Sequence, residues 1–185
     1  MSRLAPLELD QIEDPELRDL TAQCVELGVP DELFPCIIAR VPAQAKTLLG
    51  VMLELHTKGT VDHQLKEIIR IQLARFVEDP YFSALRSKRA IAEGLTEERI
   101  DAGCDDYEDS ELFTEAERMA LRFSDQLFLD PDKVDAIFYE QMREHWTEAQ
   151  IMEIGTFLAI YHAAHLFMKT LDARRGRSLE RCRSP

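Results

Sequence analysis

Residues 65–87 read LKEIIRIQLARFVEDPYFSALRS, an apolar run that stops at two acids and a proline and then resumes. The apolar side chains of this run cover most of a helix circumference, which predicts a helix over 61–78 that is buried on most sides. The Asp79-Pro80 pair is typical of an N-cap followed by proline in the first helical turn. A new helix is therefore predicted over 80–93.

Similar helix-start signals recur along the chain. Asp-Pro occurs at three places, and Thr114-x-x-Glu117 and Thr147-x-x-Gln150 fit capping boxes ahead of apolar-periodic runs. Strand signals are nearly absent, because no stretch alternates for long and no Asn-Gly or Asp-Gly turn occurs. The sequence predicts an all-α, single-domain helical bundle with helices over 15–28, 31–40, 42–57, 61–78, 80–93, 96–103, 114–128, 131–144 and 147–172.

Three segments are expected along this bundle. Residues 1–30 form an N-terminal extension with a helix, residues 31–172 form the helical domain, and residues 173–185 form a basic, flexible tail. A basic tail could contact an acidic partner, but fraying is the more common fate of such an end.

The composition limits the classes of function. The 185 residues are 45% hydrophobic and carry a net charge of −13, a poor match for nucleic acid. Charged residues interrupt the apolar stretches, so no membrane span is expected, and the N-terminus lacks a secretory apolar block. The cysteines, Cys24, Cys36, Cys104 and Cys182, form no C-x-x-C pair and no zinc spacing. We expect a reduced, soluble, cytoplasmic protein.

Glu67 lies among the apolar residues of the predicted central helix. A buried carboxylate must be paired or protonated, because an isolated charge is costly to desolvate. The simpler interpretation is that Glu67 pairs with Arg70, one turn on, at the surface. At the next helix, the N–H groups behind Asp79 would form an anion site that this residue partly occupies.

Four phrases resemble a known family: LKEIIR at 65–70, AEGLTEE at 92–98, TEAER at 114–118 and MREHWTEAQI at 142–151. Their order and spacing are similar to the carboxymuconolactone decarboxylase family, which includes alkylhydroperoxidase D. The resemblance covers about residues 35–172 and implies the all-helical fold of that family.

The redox members of the family carry a glutamate, then eleven residues, then Cys-x-x-Cys-x-x-x-His. Counted from Glu67, these positions hold Asp79, Phe82 and Arg86. Without a thiolate, neither a sulfenic acid nor a resolving disulfide can form. Peroxidase activity is therefore the least favoured of the functions that the resemblance implies.

The non-redox branch implies a cofactor-free acid–base pocket for a small carboxylate, lactone or carbonyl compound, as in a decarboxylase or lyase. On this resemblance, Glu67 transfers a proton, Arg86 clamps the anionic substrate and Tyr81 donates a hydrogen bond. Asp79 and Phe82 would line the substrate site.

Each of these residues also has a structural interpretation. Arg86 could pair with Asp79 or Glu78, Tyr81 could pack with its hydroxyl in water, and Asp79 is first a helix cap. A non-catalytic scaffold or binding protein of the same fold is therefore the alternative function.

The final helix carries His162 and His165, spaced to face one side. They could bind a metal, but the Glu-x-x-His pair of a di-iron bundle is missing, so no metal is predicted. Either histidine could act as an acid–base or substrate-binding residue over the pocket, or be a hydrogen-bonded core residue. His56, His63 and His145 lie near helix ends and are expected at the surface or as caps.

The resemblance also implies a homo-oligomer, a trimer or hexamer, and no partner beyond a small-molecule substrate. Apolar side chains that one domain would not bury completely are expected to supply the interface: Phe123, Leu127, Phe128, Phe138 and Trp146.

Overall fold

The computed structural model describes residues 2–174, which contain α-helices and short 3-10 helices and no strand. Most of the basic tail lies outside the described residues. The α-helices are α1 Pro15–Leu27, α2 Leu33–Ile38, α3 Pro42–Thr57, α4 His63–Phe76, α5 Lys88–Ala92, α6 Glu97–Asp105, α7 Glu115–Leu129, α8 Ala136–Arg143 and α9 Glu148–Thr170. The 3-10 helices are Leu9–Gln11, Phe82–Ala84 and Pro131–Lys133. The all-α prediction is confirmed.

Helix α4 is the centre of the bundle. It packs against α3, α5, α6, α7 and α9, and every residue from Leu65 to Ala74 is buried. The predicted burial on most sides is therefore confirmed, and it includes the charged residues Glu67 and Arg70. The polar groups of α4 must find their partners inside the protein.

The N-terminal extension shares the core of the rest of the chain. Helix α1 packs against α3 and α5, and Leu17 and Cys24 are completely buried. Asp14 caps this helix, as its Asp-Pro signal predicts, by accepting the Leu17 N–H at 3.0 Å.

Helix starts follow the sequence signals in most places. Both predicted capping boxes are present, at Thr114 and Thr147. The predicted helix over 131–144 is wrong in its first part, because Asp130 makes no side-chain cap. A 3-10 turn follows instead, and α8 starts only after Asp135 accepts the Phe138 N–H at 2.9 Å.

Helix α9 corrects the expectation that charge interrupts every long apolar stretch. Glu153 is the one Asp, Glu, Lys or Arg between Ile151 and Met168, and α9 is long and apolar enough to cross a membrane by length and composition. In the structure, 44% of the 18-residue apolar stretch within α9 is buried, and the helix packs against α3 and α4.

Two of the aromatic residues expected at an interface lie in the core. Phe123 and Phe138 are buried, and the Trp146 indole N–H donates to the Ala116 carbonyl at 2.9 Å. The expectation of incomplete burial is therefore wrong for Phe123 and Phe138, which pack between α7 and α8. Trp146 and Phe128 are half-buried, and Leu127 is 37% exposed. The large apolar side chains that are more than 40% exposed after residue 120 are Leu129, Ile137, Met152, Leu166 and Phe167.

Candidate active site

The predicted helix over 80–93 is wrong in its first half. The Asp79 carboxylate accepts the N–H groups of Tyr81 at 2.9 Å and Phe82 at 3.4 Å, but it caps a turn rather than an α-helix. Arg70 donates to the carbonyls of Phe82 at 2.7 Å and Leu85 at 2.8 Å. The Phe82 carbonyl also accepts the Leu85 N–H at 3.2 Å, within a 3-10 turn. Since no α-helix starts at Asp79, the predicted anion site there is absent.

Glu67 and Arg70 form a bidentate ion pair with no exposed side-chain surface. Arg70 Nε lies 2.8 Å from Glu67 Oε2, and Nη2 lies 2.7 Å from Oε1. The predicted pairing is correct and its predicted place at the surface is wrong. Burial alone would lower the pKa of Arg70, but the Glu67 charge raises it above its ordinary value. Two opposite charges with this geometry satisfy each other inside the core.

The same carboxylate fixes the start of α5. Glu67 Oε1 accepts the Ser87 N–H at 2.7 Å, and the Ser87 Oγ accepts the Ala90 N–H at 3.3 Å as an N-cap. Together with the Arg70 bonds, this ties the loop between α4 and α5 to the middle of α4. Glu67 therefore positions Ser87.

Ser87 is joined to a histidine on the first turn of α4. Its Oγ lies 2.8 Å from His63 Nε2, and His63 Nδ1 lies 2.9 Å from the His56 carbonyl oxygen. Because a carbonyl oxygen only accepts, Nδ1 carries the proton and Nε2 accepts the Ser87 O–H. A hydroxyl, an imidazole and an orienting carbonyl are thus arranged in series.

His56 and His63 are not surface residues, which corrects the sequence expectation. Their exposures are 1% and 5%, because the last turn of α3 and the first turn of α4 pack together and against α9. Burial lowers the pKa of both, with a further lowering by nearby charges that include Arg89. Both imidazoles are therefore neutral near pH 7. His145 is exposed, as expected.

A polar pocket of about 350 Å³ adjoins these histidines. We call it the histidine pocket; its walls are residues 57–62, from the end of α3 into the following loop, and His56, His63, Gln64, Lys66, Arg89 and Glu93. The Lys66 ammonium is already occupied by the carbonyls of Leu55 and Lys58 and by the Glu153 carboxylate. Among the residues that the structure describes, Arg89 bonds only Glu93, through its Nε at 2.7 Å.

Arg86 does not face Glu67. Its guanidinium pairs with Glu97 at 2.8 and 2.9 Å, and Nη1 donates to the Ser83 carbonyl at 2.7 Å. The pairing with Asp79 or Glu78 that the sequence also allowed is not formed.

Tyr81 and Phe82 are completely buried. The Tyr81 hydroxyl donates to Asp31 at 2.6 Å and accepts the Phe34 N–H at 3.3 Å, so its expected contact with water is wrong. Burial raises the pKa of Tyr81 well above its ordinary value. Both rings lie inside the core.

The two histidines of α9 lie in different surroundings. His165 is buried against Phe82 and Tyr161, and neither ring nitrogen has a hydrogen-bond partner among the described residues. His162 contacts Phe128 and lines a separate cleft of about 110 Å³ between α4, α7 and α9. Neither this cleft nor the histidine pocket is lined by Glu67 or Arg86.

The structure brings together residues that the sequence analysis did not predict as members of a site. Ser87, His63, His56 and Arg89 meet through the packing of α3, α4 and α5. A local signal existed for Ser87, since serine is a favoured N-cap. Nothing local indicates that its hydroxyl meets a histidine 24 residues earlier.

No protein-family model matches the chain, and no curated protein matches it. Solved structures do. The debrominase Bmp8, in its apo form and in complex with 2,3,4-tribromopyrrole, is 16% identical, with a TM-score of 0.77 over 96% of this chain and 94% of that chain.

The alkylhydroperoxidase AhpD core of a peroxidase-related protein from Ralstonia eutropha JMP134 is 17% identical, with a TM-score of 0.78 over 95% of this chain and 93% of that chain. ATU0492 from Agrobacterium tumefaciens, a protein of unknown function, is also 17% identical, with a TM-score of 0.65 over 74% of this chain and 93% of that one. At this identity the likeness establishes the fold alone, and the chain has the alkylhydroperoxidase D-like all-α fold.

Proposed function

We propose that the chain is a cofactor-free acid–base enzyme that acts on a small carboxylate, lactone or related carbonyl compound at the histidine pocket. The observation that carries this proposal is the 2.8 Å bond between the buried Ser87 hydroxyl and the neutral imidazole of His63, which is a residue of the pocket wall. A hydroxyl bonded to a base that is itself oriented by a third group is a common arrangement for proton transfer.

In this proposal His63 Nε2 accepts a proton from Ser87, and Ser87 takes its replacement from the substrate. Burial lowers the pKa of His63, so the imidazole is unprotonated at neutral pH, the form that a general base requires. The His56 carbonyl holds Nδ1–H and stabilises the imidazolium that forms. Since the Ser87 hydroxyl is fully buried, substrate entry requires side chains of the pocket wall to move.

Glu67 has a different role here from the proton transfer that the resemblance implied. Both of its oxygens are already bonded, to Arg70 and to the Ser87 N–H. We propose that Glu67 is a positioning residue, which holds the Ser87 backbone so that the hydroxyl reaches His63. Arg70 holds the preceding loop in the same way.

Two observations support a non-redox chemistry. The sequence has no C-x-x-C pair, and burial raises the pKa of Cys24 and of Cys104 to about 12, which disfavours their thiolates. A separate observation concerns the size of the ligand. The debrominase Bmp8, a protein of the same fold, binds 2,3,4-tribromopyrrole, which supports the proposal that this chain binds a small organic molecule.

A non-catalytic scaffold is the second candidate, and one observation favours it. The buried charges of Glu67 and Arg70 are completely satisfied by protein groups, as in a purely structural ion pair. In that case the bond between Ser87 and His63 is only an internal contact of the α5 start.

A turnover screen separates the two candidates. The purified chain is assayed against lactones, esters and carboxylates, and active compounds are repeated with His63→Gln and with His145→Gln as the exposed control. Loss of the general base is expected to lower kcat by about 10²–10⁴-fold, with no change in the control. Activity should also fall at acidic pH, where His63 becomes protonated. A wild-type chain that converts none of these compounds would support the scaffold, and full activity in His63→Gln would contradict the role of His63 as the base.

A further inference from the structure

His56 has a buried ring nitrogen that lacks a partner. Its Nε2 lies 2.6 Å from the Tyr161 hydroxyl, while Nδ1 has no hydrogen-bond partner among the described residues. Only 1% of the His56 surface is exposed, so bulk water does not form a hydrogen bond with this nitrogen. An orphaned polar group of this kind costs about 1–3 kcal/mol and calls for an explanation.

The bond with Tyr161 decides which form the orphaned nitrogen takes. If His56 Nε2 donates, the Tyr161 proton and the Nδ1 lone pair are both left unsatisfied. If Tyr161 donates, only one group is left, an Nδ1–H donor. Burial raises the pKa of Tyr161, so its hydroxyl retains the proton that this arrangement needs. The second arrangement is favoured, and His56 presents an N–H that requires an acceptor.

The histidine pocket offers space for that acceptor. His56 is part of the pocket wall, and the pocket volume of about 350 Å³ accommodates a small organic molecule. The Nδ1 atom itself is buried, so contact between a ligand and this nitrogen requires side chains of the wall to move. Arg89, on the same wall, bonds only Glu93 through Nε, so both Nη groups have no bond to described residues. An N–H donor and a guanidinium with free donors both favour an anionic oxygen.

We infer that the histidine pocket binds a small carboxylate, one oxygen of which accepts the His56 Nδ1–H bond while the Arg89 guanidinium holds the anion. This inference deepens the proposed function and rests on it for treating the ligand as a substrate. It selects the carboxylate from the wider group of lactones and carbonyl compounds. The other pocket cation, Lys66, does not contribute, because its ammonium is occupied.

The tautomer is tested first, on the unmodified protein. Long-range ¹H–¹⁵N correlation spectra of the histidine rings, assigned with single His→Gln variants, should show His56 with a protonated Nδ1 and an unprotonated Nε2. A protonated Nε2 would overturn the inference. This measurement needs no binding and no activity.

Binding is tested with acetate as the probe and acetamide as the uncharged control of the same shape. Acetate should shift the His56 ring signals saturably, and acetamide should not. His56→Phe and Arg89→Gln are each expected to weaken acetate binding by about tenfold or more, while His145→Phe and Arg143→Gln, exposed on α8 or just after it, leave it unchanged. Equal binding of acetate and acetamide, or no effect of either pocket variant, would overturn the inference.

The two proposals can fail separately. Saturable acetate binding by a chain that turns over nothing would refute the enzyme and keep the carboxylate site. Turnover of an uncharged ester by a chain that does not bind acetate would refute the carboxylate site and keep the enzyme.

Discussion

At the scale of single residues, Glu67 and Arg70 join the middle of α4 to the start of α5. Neither side chain has exposed surface, and five hydrogen bonds connect the pair with itself, with two loop carbonyls and with the Ser87 N–H. Removing one charge leaves the other buried without compensation, which is much more costly than losing an exposed pair.

Glu67→Gln is therefore expected to lower the free energy of unfolding by about 3–5 kcal/mol. Glu97→Gln is the matched control, because Glu97 also pairs with an arginine but its side chain is 60% exposed. The control should change stability by less than about 1 kcal/mol. Urea unfolding of both variants measures the difference, and equal effects would show that the Glu67 pair adds nothing beyond a surface contact.

Three buried histidines make stability depend on pH. Burial lowers the folded-state pKa of His56, His63 and His165, so the unfolded chain binds more protons below its ordinary histidine pKa of about 6.5. Their contribution is present above that pH and is lost as pH falls. Asp79 acts in the opposite direction, since burial raises its pKa to about 6 and the folded state then binds the extra proton.

The histidines outnumber Asp79, so stability should fall on acidification by about 2 kcal/mol between about pH 6.5 and 5.5. Urea unfolding at the two pH values measures the loss. His165→Phe should reduce the loss by about 1 kcal/mol, and His145→Phe should leave it unchanged. Stability that is constant or rises over this interval would mean that these imidazoles are not held neutral in the fold.

At the scale of elements, α4 and α6 approach closely at Gly103. A Cβ there would lie 2.3 Å from Ile68 Cγ2 and 3.2 Å from the Phe113 ring, whereas a Cβ at Gly50 in α3 would meet nothing within 4 Å. Gly103→Ala should destabilise the protein by about 1–3 kcal/mol through overpacking. Gly50→Ala should stabilise it by about 0.5–1 kcal/mol through lower backbone entropy. Thermal or urea unfolding compares the two; stabilisation by both would contradict the close packing.

The elements that the sequence predicts are those with local causes. Thr114 and Thr147 start helices with capping boxes because the cap and its partner lie three residues apart. The segment after Asp79 carries an equally good signal and forms no α-helix there. Its carbonyls at Phe82 and Leu85 accept hydrogen bonds from Arg70, a residue of α4, and no local pattern encodes that contact.

At the scale of the whole molecule, exposed apolar residues on α9 favour assembly with further copies of the chain. Met152, Leu166 and Phe167 are 59%, 43% and 44% exposed. We expect a homo-oligomer, a trimer or hexamer, that Phe167→Asp weakens. Ile91→Asp, at a 45% exposed position on α5, is the matched control. Sedimentation velocity measures the mass, and a monomeric wild-type chain would contradict this expectation.

The candidate site was only partly predictable from the sequence. The one-turn spacing predicts Arg70 as the partner of Glu67, but the surface position expected for this pair is wrong, since both side chains are buried. The meeting of Ser87, His63 and His56 was not predictable, because it depends on how three helices pack. Arg86 was assigned by its motif position alone, and the fold directs it to Glu97.

The comparison of Ser87→Ala with Arg86→Gln tests the proposed site most directly. Both variants are assayed on a lactone, ester or carboxylate that the wild-type chain converts, after unfolding curves show that each is folded. If His63 and Ser87 form the active site, Ser87→Ala lowers kcat by about 10²-fold or more, while the kcat of Arg86→Gln stays within about threefold of the wild-type value. Full activity in Ser87→Ala, with the loss in Arg86→Gln instead, would contradict this site.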